Sequence, residues 1–318
     1  MQHERHKSPP FRAFAVVRVG AVAALTIAAI AVFSEPSRAA VFGRDDRATL
    51  TGADKDLQDK IGTLVSSQNG AFCTAFCVAP DVIATASHCL YGTSAAAGPN
   101  LKDLSFKTAS SGPVSVSSPG TPLAGRRTSN QSQAVISGTT RLRIAPPIGA
   151  AQDWAVARLE APACKAGGLR LSERATGDVI SAVKSGALYQ IAVHADLTDT
   201  NLRRGTPCAV HSAFPNADEA AIARDFATPS QIVFHTCDTG GGSSGSPMLI
   251  DTPLGPEVVA INVGTYVLSR AVTTSKQSGS RAADPAAESQ PIANTAIAIA
   301  AIKAALAEFT KLQLRVAK

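Results

Sequence analysis

Residues 237–248 of the chain read CDTGGGSSGSPM. Three consecutive glycines ahead of Ser-Ser-Gly-Ser-Pro allow a tight backbone in which several N–H groups converge beside a hydroxyl, as stabilisation of a developing oxyanion requires. Gly/Ser-rich runs are also typical of flexible linkers. The segment therefore indicates a nucleophile only if other parts of the chain supply a base and an acid.

Two upstream residues supply those groups. His88 follows the apolar run IATAS, and Asp153 directly precedes the alternating segment WAVARL. Taken singly, each has an ordinary structural explanation, as a packed histidine or a turn aspartate. Nucleophilic acyl transfer needs a hydroxyl, an imidazole that takes its proton and a carboxylate that orients the imidazole. The chain offers these groups in the order His88, Asp153, Ser244.

Short sequence motifs around these residues resemble hallmark motifs of one family. Residues 85–89 read TASHC, residues 153–156 read DWAV and residues 242–247 read GSSGSP. They resemble TAAHC, DIAL and GDSGGP of the trypsin-like (chymotrypsin-fold) serine peptidases, and most of all the secreted bacterial branch that includes the glutamyl endopeptidases. The resemblance covers about residues 41–312, with residues 92–149 matched poorly. It implies an all-β fold of two antiparallel Greek-key β-barrels, with the active site in the cleft between them and a C-terminal α-helix.

The resemblance also implies the roles of the site residues. Ser244 would be the nucleophile, His88 the general base and Asp153 its partner, with the N–H groups of Gly242 and Ser244 forming the oxyanion hole. Ser243 stands where the digestive relatives carry an aspartate that pairs with a newly formed N-terminus. Because Ser243 has no charge, that ion pair is not expected in this chain.

Two other classes of site fit the glycine-rich segment less well. An α/β-hydrolase would use Ser243 in Gly-x-Ser-x-Gly, but its catalytic histidine must follow the serine, and the last histidine of the chain is His235. Pro247 would also fall inside the helix that follows such a turn. A phosphate-binding loop would need Gly-Lys-Ser/Thr after the glycines.

Substrate-binding residues are expected by the same resemblance. Thr239 and its neighbours would line the pocket, and Asn262, Val263 and Gly264 would pair with an extended peptide as an added strand. Thr239 matches the threonine of glutamyl endopeptidases, whereas Asn262 stands where they carry histidine. Asp238 could place a negative charge near the pocket or serve as a structural aspartate, and we favour the second reading.

Six cysteines suggest three disulfides if the protein is exported, because an even number in an oxidising compartment is typical of disulfide bonding. Sequence alone allows 15 pairings. The family resemblance pairs Cys73 with Cys89, 16 residues apart. Cys208–Cys237 is favoured as a brace of the glycine-rich segment, which leaves Cys77–Cys164 by exclusion. No Cys-x2-Cys pair is present, so no metal site is expected.

The N-terminus indicates export. A basic start, an apolar run over residues 19–33 and Ser-Arg-Ala at 37–39 predict a signal peptide over residues 1–39, with cleavage after Ala39. An uncleaved anchor is the alternative, but the run is shorter than the ~20 apolar residues that a membrane span needs. After residue 39 the chain has 25 basic and 22 acidic side chains, a net charge of +3 without a dense basic cluster, so nucleic acid is not an expected partner.

Short Val/Ile/Phe-rich runs separated by turn residues predict antiparallel strands along the remaining chain. We expect an N-terminal barrel over residues 40–168 carrying His88 and Asp153, and a C-terminal barrel over 169–318 carrying Ser244. Residues 92–149 and 273–289 are expected to be loop-rich. An apolar stripe at spacings of 3 and 4 predicts one C-terminal helix, capped by Asn294 or Thr295.

The sequence thus predicts a secreted or periplasmic serine endopeptidase. We expect a monomer that acts on polypeptides, needs no cofactor and makes no stable membrane association once the signal peptide is removed. The alternative is a catalytically silent, secreted binding protein of the same fold. Silent members usually lack one of the three catalytic residues, and all three are present.

Overall fold

The computed structural model describes residues 40–117, 134–184, 186–210, 214, 218–267 and 291–316, with backbone alone for residues 310–316. The expected signal peptide over residues 1–39 and the loop over 273–289 lie outside these residues, as does part of the 92–149 segment. The strands are β1 Ala48–Thr49, β2 Ile61–Ser66, β3 Phe72–Ala79, β4 Val82–Thr85, β5 Leu104–Lys107, β6 Val114–Ser115, β7 Val135–Ser137, β8 Ala155–Arg158, β9 Arg170–Leu171, β10 Tyr189–Ala192, β11 Arg203–Arg204, β12 Ile232–His235, β13 Pro247–Ile250, β14 Glu257–Val267 and β15 Pro291–Ala298.

Helices are few and mostly short. The α-helices are α1 His88–Tyr91, α2 Thr176–Val183, α3 Glu219–Ala223 and α4 Ile299–Val316. Single 3-10 turns or short 3-10 helices cover Gly52–Asp59, Leu101–Asp103, Ala150–Gln152 and Pro229–Gln231. The described chain is therefore dominated by strands, as its β-branched and aromatic runs predict.

The first sheet has seven antiparallel strands in the order β6-β5-β2-β3-β4-β8-β7. Strands β2, β3 and β4 follow one another as hairpins, and β5 returns to lie beside β2, which is Greek-key connectivity. Its large apolar side chains, among them Leu64, Phe76, Ile83 and Phe106, are fully buried. The sheet curls around this core.

The second sheet has eight strands along the order β1-β11-β10-β13-β14-β15-β12, with β9 joining β14 in a short parallel pair. Strand β1 pairs with β11, so a segment that precedes the first sheet in sequence contributes to the second. The longest strand, β14, lies between β13 and β15. Two curled antiparallel sheets confirm the expected all-β class.

The C-terminal helix is present, but its expected start is wrong. Asn294 and Thr295 do not cap it; they lie in β15, and α4 begins at Ile299. The side chains of both residues are used within the sheet, since Asn294 Nδ2 donates to the Cys237 carbonyl (2.7 Å) and Thr295 Oγ1 to the Gly264 carbonyl (3.0 Å). The predicted apolar stripe is buried and consists of Ile299, Ile302, Leu306 and Phe309. Within the described residues, no helix combines the length and apolarity needed to cross a membrane.

Candidate active site

His88 and Asp153 are neighbours because the strands that carry them are paired. His88 follows the end of β4 and begins α1, and Asp153 lies between a 3-10 turn and the start of β8. Strands β4 and β8 run antiparallel with Thr85 opposite Ala155. The end of β4 therefore meets the start of β8, and His88 Nδ1 lies 2.7 Å from Asp153 Oδ2.

The Asp153 carboxylate is fully buried and accepts three hydrogen bonds. Its Oδ1 accepts from the Ser87 hydroxyl and from the His88 backbone N–H, both at 2.9 Å, and its Oδ2 faces the imidazole. A buried charge is tolerated only when it is paired and hydrogen-bonded. A carboxylate acceptor at Nδ1 favours the tautomer with the proton on Nδ1, which leaves Nε2 free to accept a proton.

Ser87 is a site residue that sequence reasoning missed. The only available signal is that serine occupies the position of the second alanine in the family word TAAHC. The structure gives it a function, because its hydroxyl donates to the Asp153 oxygen that does not face the ring.

The pKa of His88 lies above its ordinary value of 6.5. Burial of the ring opposes protonation, but the negative charge of Asp153 and the hydrogen bond to it more than offset burial. Asp153 therefore favours the charged form of the His88 ring.

The serine loop, defined here as residues 238–246, is hydrogen-bonded to β3 of the first sheet. The Thr74 N–H donates to the Ser244 carbonyl (3.0 Å), and Thr74 Oγ1 donates to the Gly242 carbonyl (2.8 Å) and accepts from the Val193 N–H (3.1 Å). Thr74 is completely buried. One threonine thus joins both sheets at the serine loop, and nothing in the sequence singles it out.

Gly245 brings Ser244 against the segment that carries His88. Gly245 has φ +82°, and a Cβ at this position would collide with Thr85 Oγ1. The Ser244 carbonyl oxygen also lies 3.8 Å from Cys89 Sγ. The loop therefore packs directly on the residues that flank His88, and only glycine allows this close approach.

The N–H groups of the serine loop divide into two sets. Those of Ser243, Gly245 and Ser246 donate to backbone carbonyls at 3.1, 2.7 and 3.1 Å. Those of Gly242 and Ser244 have no acceptor among the described residues. The N–H groups of Asp238, Gly240 and Gly241 also have no acceptor among the described residues, so the two groups expected in the oxyanion hole belong to a larger unsatisfied set. Gly242 takes the left-handed backbone (φ +89°) that glycine favours.

Asn262 lies beneath the serine loop. Its Nδ2 donates to the Ser243 carbonyl (3.1 Å) and to the Ser243 hydroxyl (3.3 Å), and the residue is 2 % exposed. Its Oδ1 has no hydrogen-bond partner among the described residues. Asn262 thus fixes the residue that precedes Ser244.

The edge of β14 is open on one side only beyond Asn262. The backbone N–H of Asn262 donates to the Ser246 carbonyl (2.9 Å) and its carbonyl accepts from the Gly245 N–H (2.7 Å), so Asn262 is not free to pair with a peptide as the sequence analysis expected. Pro247, the first residue of β13, lies opposite Ile261, so β14 continues past the start of β13. On its other side β14 remains paired with β15 through Gly264. No described strand covers the β13 side at Val263 and Gly264, and an uncovered strand edge can accept an extended peptide.

Asp238 contacts the start of the described chain. Its Oδ1 accepts from the Phe42 N–H (2.7 Å) and its Oδ2 from the Asp46 N–H (3.2 Å). Burial raises the pKa of Asp238, and these two donors offset the effect only in part. Adjacent Thr239 pairs with Ala40 through two backbone hydrogen bonds. This geometry agrees with the structural reading of Asp238.

Three disulfides surround this site. The structure joins Cys73 to Cys89, Cys77 to Cys164 and Cys208 to Cys237, the same pairs that the sequence analysis reached. The first connects β3 to α1 beside His88, and the third ends where the serine loop begins.

Two groups of cysteine and histidine atoms lie close enough to hold an ion. They are Cys73 with His88 and Cys89, and Cys208 with His235 and Cys237. In each group both sulfurs belong to a disulfide, so neither sulfur is a thiolate ligand. The chemistry of these donors does not suit a metal.

Comparisons with known proteins agree with this architecture. The sequence model of the trypsin-like peptidase domain matches residues 73–261. A solved glutamyl endopeptidase, crystallised in complex with MPD, is similar with a TM-score of 0.53 at 16 % identity, over 86 % of this chain and 98 % of its own. A thermostable serine protease, AL20, from an extremophilic microorganism gives 0.44 at 15 % identity, over 76 % and 92 %. A search of curated protein sequences finds no match.

At 16 % identity the glutamyl endopeptidase structure shows a shared fold. The sequence match spans more than half of the chain, including His88, Asp153 and Ser244. The chain belongs to the family of trypsin-like peptidases.

Proposed function

We propose that this chain is an exported serine endopeptidase that cleaves peptide bonds through an acyl-enzyme on Ser244. The observation that carries the proposal is the buried His88–Asp153 pair, 2.7 Å apart, against which the serine loop packs through Gly245. An imidazole held by a buried carboxylate is the arrangement that activates a serine hydroxyl.

In the proposed reaction Ser244 Oγ attacks the carbonyl carbon of the scissile bond while His88 Nε2 takes the hydroxyl proton. The C–N bond then breaks as His88 returns this proton to the leaving amine, which yields an ester on Ser244. Water then attacks the ester carbon as His88 Nε2 takes a proton from it. The bond between this carbon and Ser244 Oγ breaks as His88 returns the proton to Oγ, which regenerates the serine and releases the acid product. Asp153 keeps the imidazole oriented and stabilises its charged form throughout.

The N–H groups of Gly242 and Ser244 would bind the oxyanion of each tetrahedral intermediate. Their lack of an acceptor among the described residues supports this role, because a donor already satisfied by a carbonyl would contribute little. A single such donor is worth about 3–4 kcal/mol of transition-state stabilisation where it has been measured.

Polypeptides are the proposed substrates. The open edge of β14 at Val263 and Gly264 supports binding of an extended peptide by backbone hydrogen bonds. We place Thr239 and Asn262 at the pocket for the side chain before the scissile bond. Because the Asn262 side chain is an uncharged amide, we do not propose that it forms an ion pair with a charged substrate side chain.

Export would occur through the signal peptide over residues 1–39. Three disulfides in the described chain support an oxidising compartment, periplasmic or extracellular. The exported protein would then begin at Ala40.

Labelling with a fluorophosphonate probe tests the function directly. The full chain is expressed with its own N-terminus, recovered from the periplasm or medium, and compared as wild type, Ser244→Ala and Ser243→Ala. The wild type and Ser243→Ala should label, and Ser244→Ala should not. Peptide-library turnover should fall by about 10⁶ in Ser244→Ala, as it does when a serine nucleophile is removed elsewhere.

Equal labelling of wild type and Ser244→Ala would contradict the assignment of the nucleophile, and loss of labelling in Ser243→Ala alone would move it to Ser243. Peptide binding without probe-sensitive turnover in the wild type would favour the silent binding protein. Sequencing the N-terminus of the recovered protein tests export, since retention of residues 1–39 would indicate an anchor.

A further inference from the structure

The N-terminal segment, defined here as residues 40–47, docks on the serine loop. Ala40 exchanges two backbone hydrogen bonds with Thr239, at 2.8 and 3.0 Å, and is 2 % exposed. Two further N–H groups of the segment, those of Phe42 and Asp46, donate to the Asp238 carboxylate. The start of the serine loop is therefore held by a strand-like contact and by a side chain.

Arg47 ends this segment and connects it to a second loop. Its guanidinium donates to Asp45 at 2.9 and 2.7 Å and to Asp196 at 3.0 and 2.6 Å, so both carboxylates are bound bidentately. The Arg47 side chain is only 2 % exposed, whereas the two carboxylates are 43 % and 21 % exposed. Bidentate pairing fixes the positions of both partners as well as their charge.

The arginine and its partner lie directly against the glycines of the serine loop. A Cβ at Gly240 would collide with the Asp196 carboxylate and lie 3.0 Å from Arg47 Nη1. The next residue, Gly241, accepts a hydrogen bond from the Ala195 N–H at 2.6 Å. Arg47 thus fixes residues 195–196 through the Asp196 carboxylate. Residues 195–196 in turn contact Gly240 and Gly241.

The serine loop needs such a support because of its composition. Three consecutive glycines have the greatest backbone freedom of any sequence, and the N–H of the third must point at the oxyanion. Residue 243, directly before the proposed nucleophile, is an uncharged serine and cannot anchor the loop by an ion pair. Instead, the ion pair between Arg47 and Asp196 packs against Gly240.

Asp45 and Arg47 keep their charges over a wide pH range. The side-chain hydrogen bonds from Arg47 hold the pKa of Asp45 at about 2, although burial works against this. Ion pairing with both carboxylates raises the pKa of Arg47, although burial of the guanidinium opposes the effect.

We propose that Arg47 is a positioning residue for catalysis: through Asp196 it holds Gly240–Gly242 in the conformation that presents the Gly242 and Ser244 N–H groups to the substrate. This assignment rests on the proposed peptidase function. Arg47 does not touch the substrate, and its effect is carried by the backbone of the serine loop.

Kinetics separates positioning from a general effect on stability. Arg47→Ala and Asp196→Asn should each lower kcat by about tenfold or more with little change in KM, because loss of one oxyanion donor costs on the order of 10²–10³ in kcat. Arg47→Lys keeps the charge but not the bidentate geometry, so it should recover only part of the rate. The double variant should be no worse than Arg47→Ala alone.

Arg204 offers a matched control. It lies in β11, which pairs with β1 directly after Arg47. Its guanidinium stacks on Tyr189, 3.7 Å from the ring centroid, and pairs with Asp54 and Asp251, but it does not contact the glycines of the serine loop. Arg204→Ala should lower Tm without a comparable loss of kcat. If Arg204→Ala and Arg47→Ala lose kcat in proportion to their loss of Tm, Arg47 is merely structural.

Hydrogen exchange of the full chain gives a readout that needs no activity. Peptides covering residues 238–246 should exchange faster in Arg47→Ala than in wild type, and unchanged in Arg204→Ala. Unchanged exchange in Arg47→Ala overturns the proposal even if the wild type is an active peptidase. An inactive wild type overturns the proposed function instead, and faster exchange in Arg47→Ala would still establish the contact that holds the loop.

Discussion

At the scale of single residues, the proposed chemistry depends on one buried carboxylate. Asp153 has no solvent contact, and its two oxygens serve different partners: Oδ2 faces the His88 ring, and Oδ1 accepts from Ser87 and the His88 backbone. The hydrogen bonds to Oδ1 hold the carboxylate in position. Oδ2 can therefore favour the His88 tautomer that carries its proton on Nδ1.

Asp153→Asn should therefore reduce kcat by about 10⁴, because an amide nitrogen facing Nδ1 forces the proton onto Nε2, the nitrogen that must accept it. His88 has to be neutral to act as a base, so kcat/KM should rise with pH through its pKa, which Asp153 holds above 6.5 in the wild type. In the variant the rise of kcat/KM with pH should occur at lower pH than in the wild type, because the charge that raises the His88 pKa is absent. The measurement is a pH profile of kcat/KM for both proteins.

Ser87→Ala serves as the comparison, since it removes one donor and leaves the Asp153 charge. It should cost about 10- to 100-fold in kcat, because one hydrogen bond to a charged group is worth about 1.5–3 kcal/mol. Losses of equal size in Ser87→Ala and Asp153→Asn would contradict the tautomer explanation.

The sequence predicts some of these residues and not others. His88, Asp153 and Ser244 are predicted because their types follow from the reaction and their order and neighbouring residues follow from the family resemblance. Thr74 and Arg47 are not, because a threonine in a strand and an arginine near an N-terminus acquire their roles only from partners more than a hundred residues away.

At the scale of elements, the serine loop is shaped by contacts from outside it. Thr74 and Asn262 hold its carbonyl oxygens from two strands, and Gly245 lets it approach the end of β4. The strands themselves were predictable from their β-branched runs. The helix start was not, because Asn294 and Thr295 suit a helix cap and suit equally the side-chain bonds they make in β15.

Gly245→Ala should destabilise the protein and lower its activity together. Left-handed backbone costs a non-glycine residue about 1–2 kcal/mol, and the collision with Thr85 Oγ1 adds about 1–3 kcal/mol of overpacking. Gly255→Ala is the control, because Gly255 has φ +92° but no atom within 4 Å of the added Cβ. Denaturant unfolding and kcat should both show a larger effect at Gly245, and equal unfolding effects would exclude the collision.

At the scale of the whole molecule, stability depends on a histidine outside the catalytic pair. His194 is 2 % exposed, and its Nδ1 has no hydrogen-bond partner among the described residues. Burial, reinforced by the positive charge of Arg47, lowers the pKa of His194 from 6.5 to about 4.

Acid should therefore destabilise the fold through His194. Between pH 6.5 and 4 the unfolded chain binds a proton that the folded chain does not, so the contribution present above pH 6.5 is lost as pH falls, up to about 3 kcal/mol. Urea unfolding of wild type and His194→Gln at several pH values checks this. The variant should show a shallower decline, and parallel declines would contradict the assignment.

Strand pairing also determines how much of the chain must be synthesised before the fold can form completely. All strands of the first sheet precede residue 159. However, β1 pairs with β11, which is translated later. Arg158 donates to the Phe309 carbonyl, 151 positions further along the chain. A chain shortened to its first 159 residues thus contains every strand of the first sheet but lacks the partner of β1 and the partner of Arg158. The residues before the first sheet join the serine loop only after that loop has been translated, so a truncated chain cannot assemble the proposed catalytic apparatus.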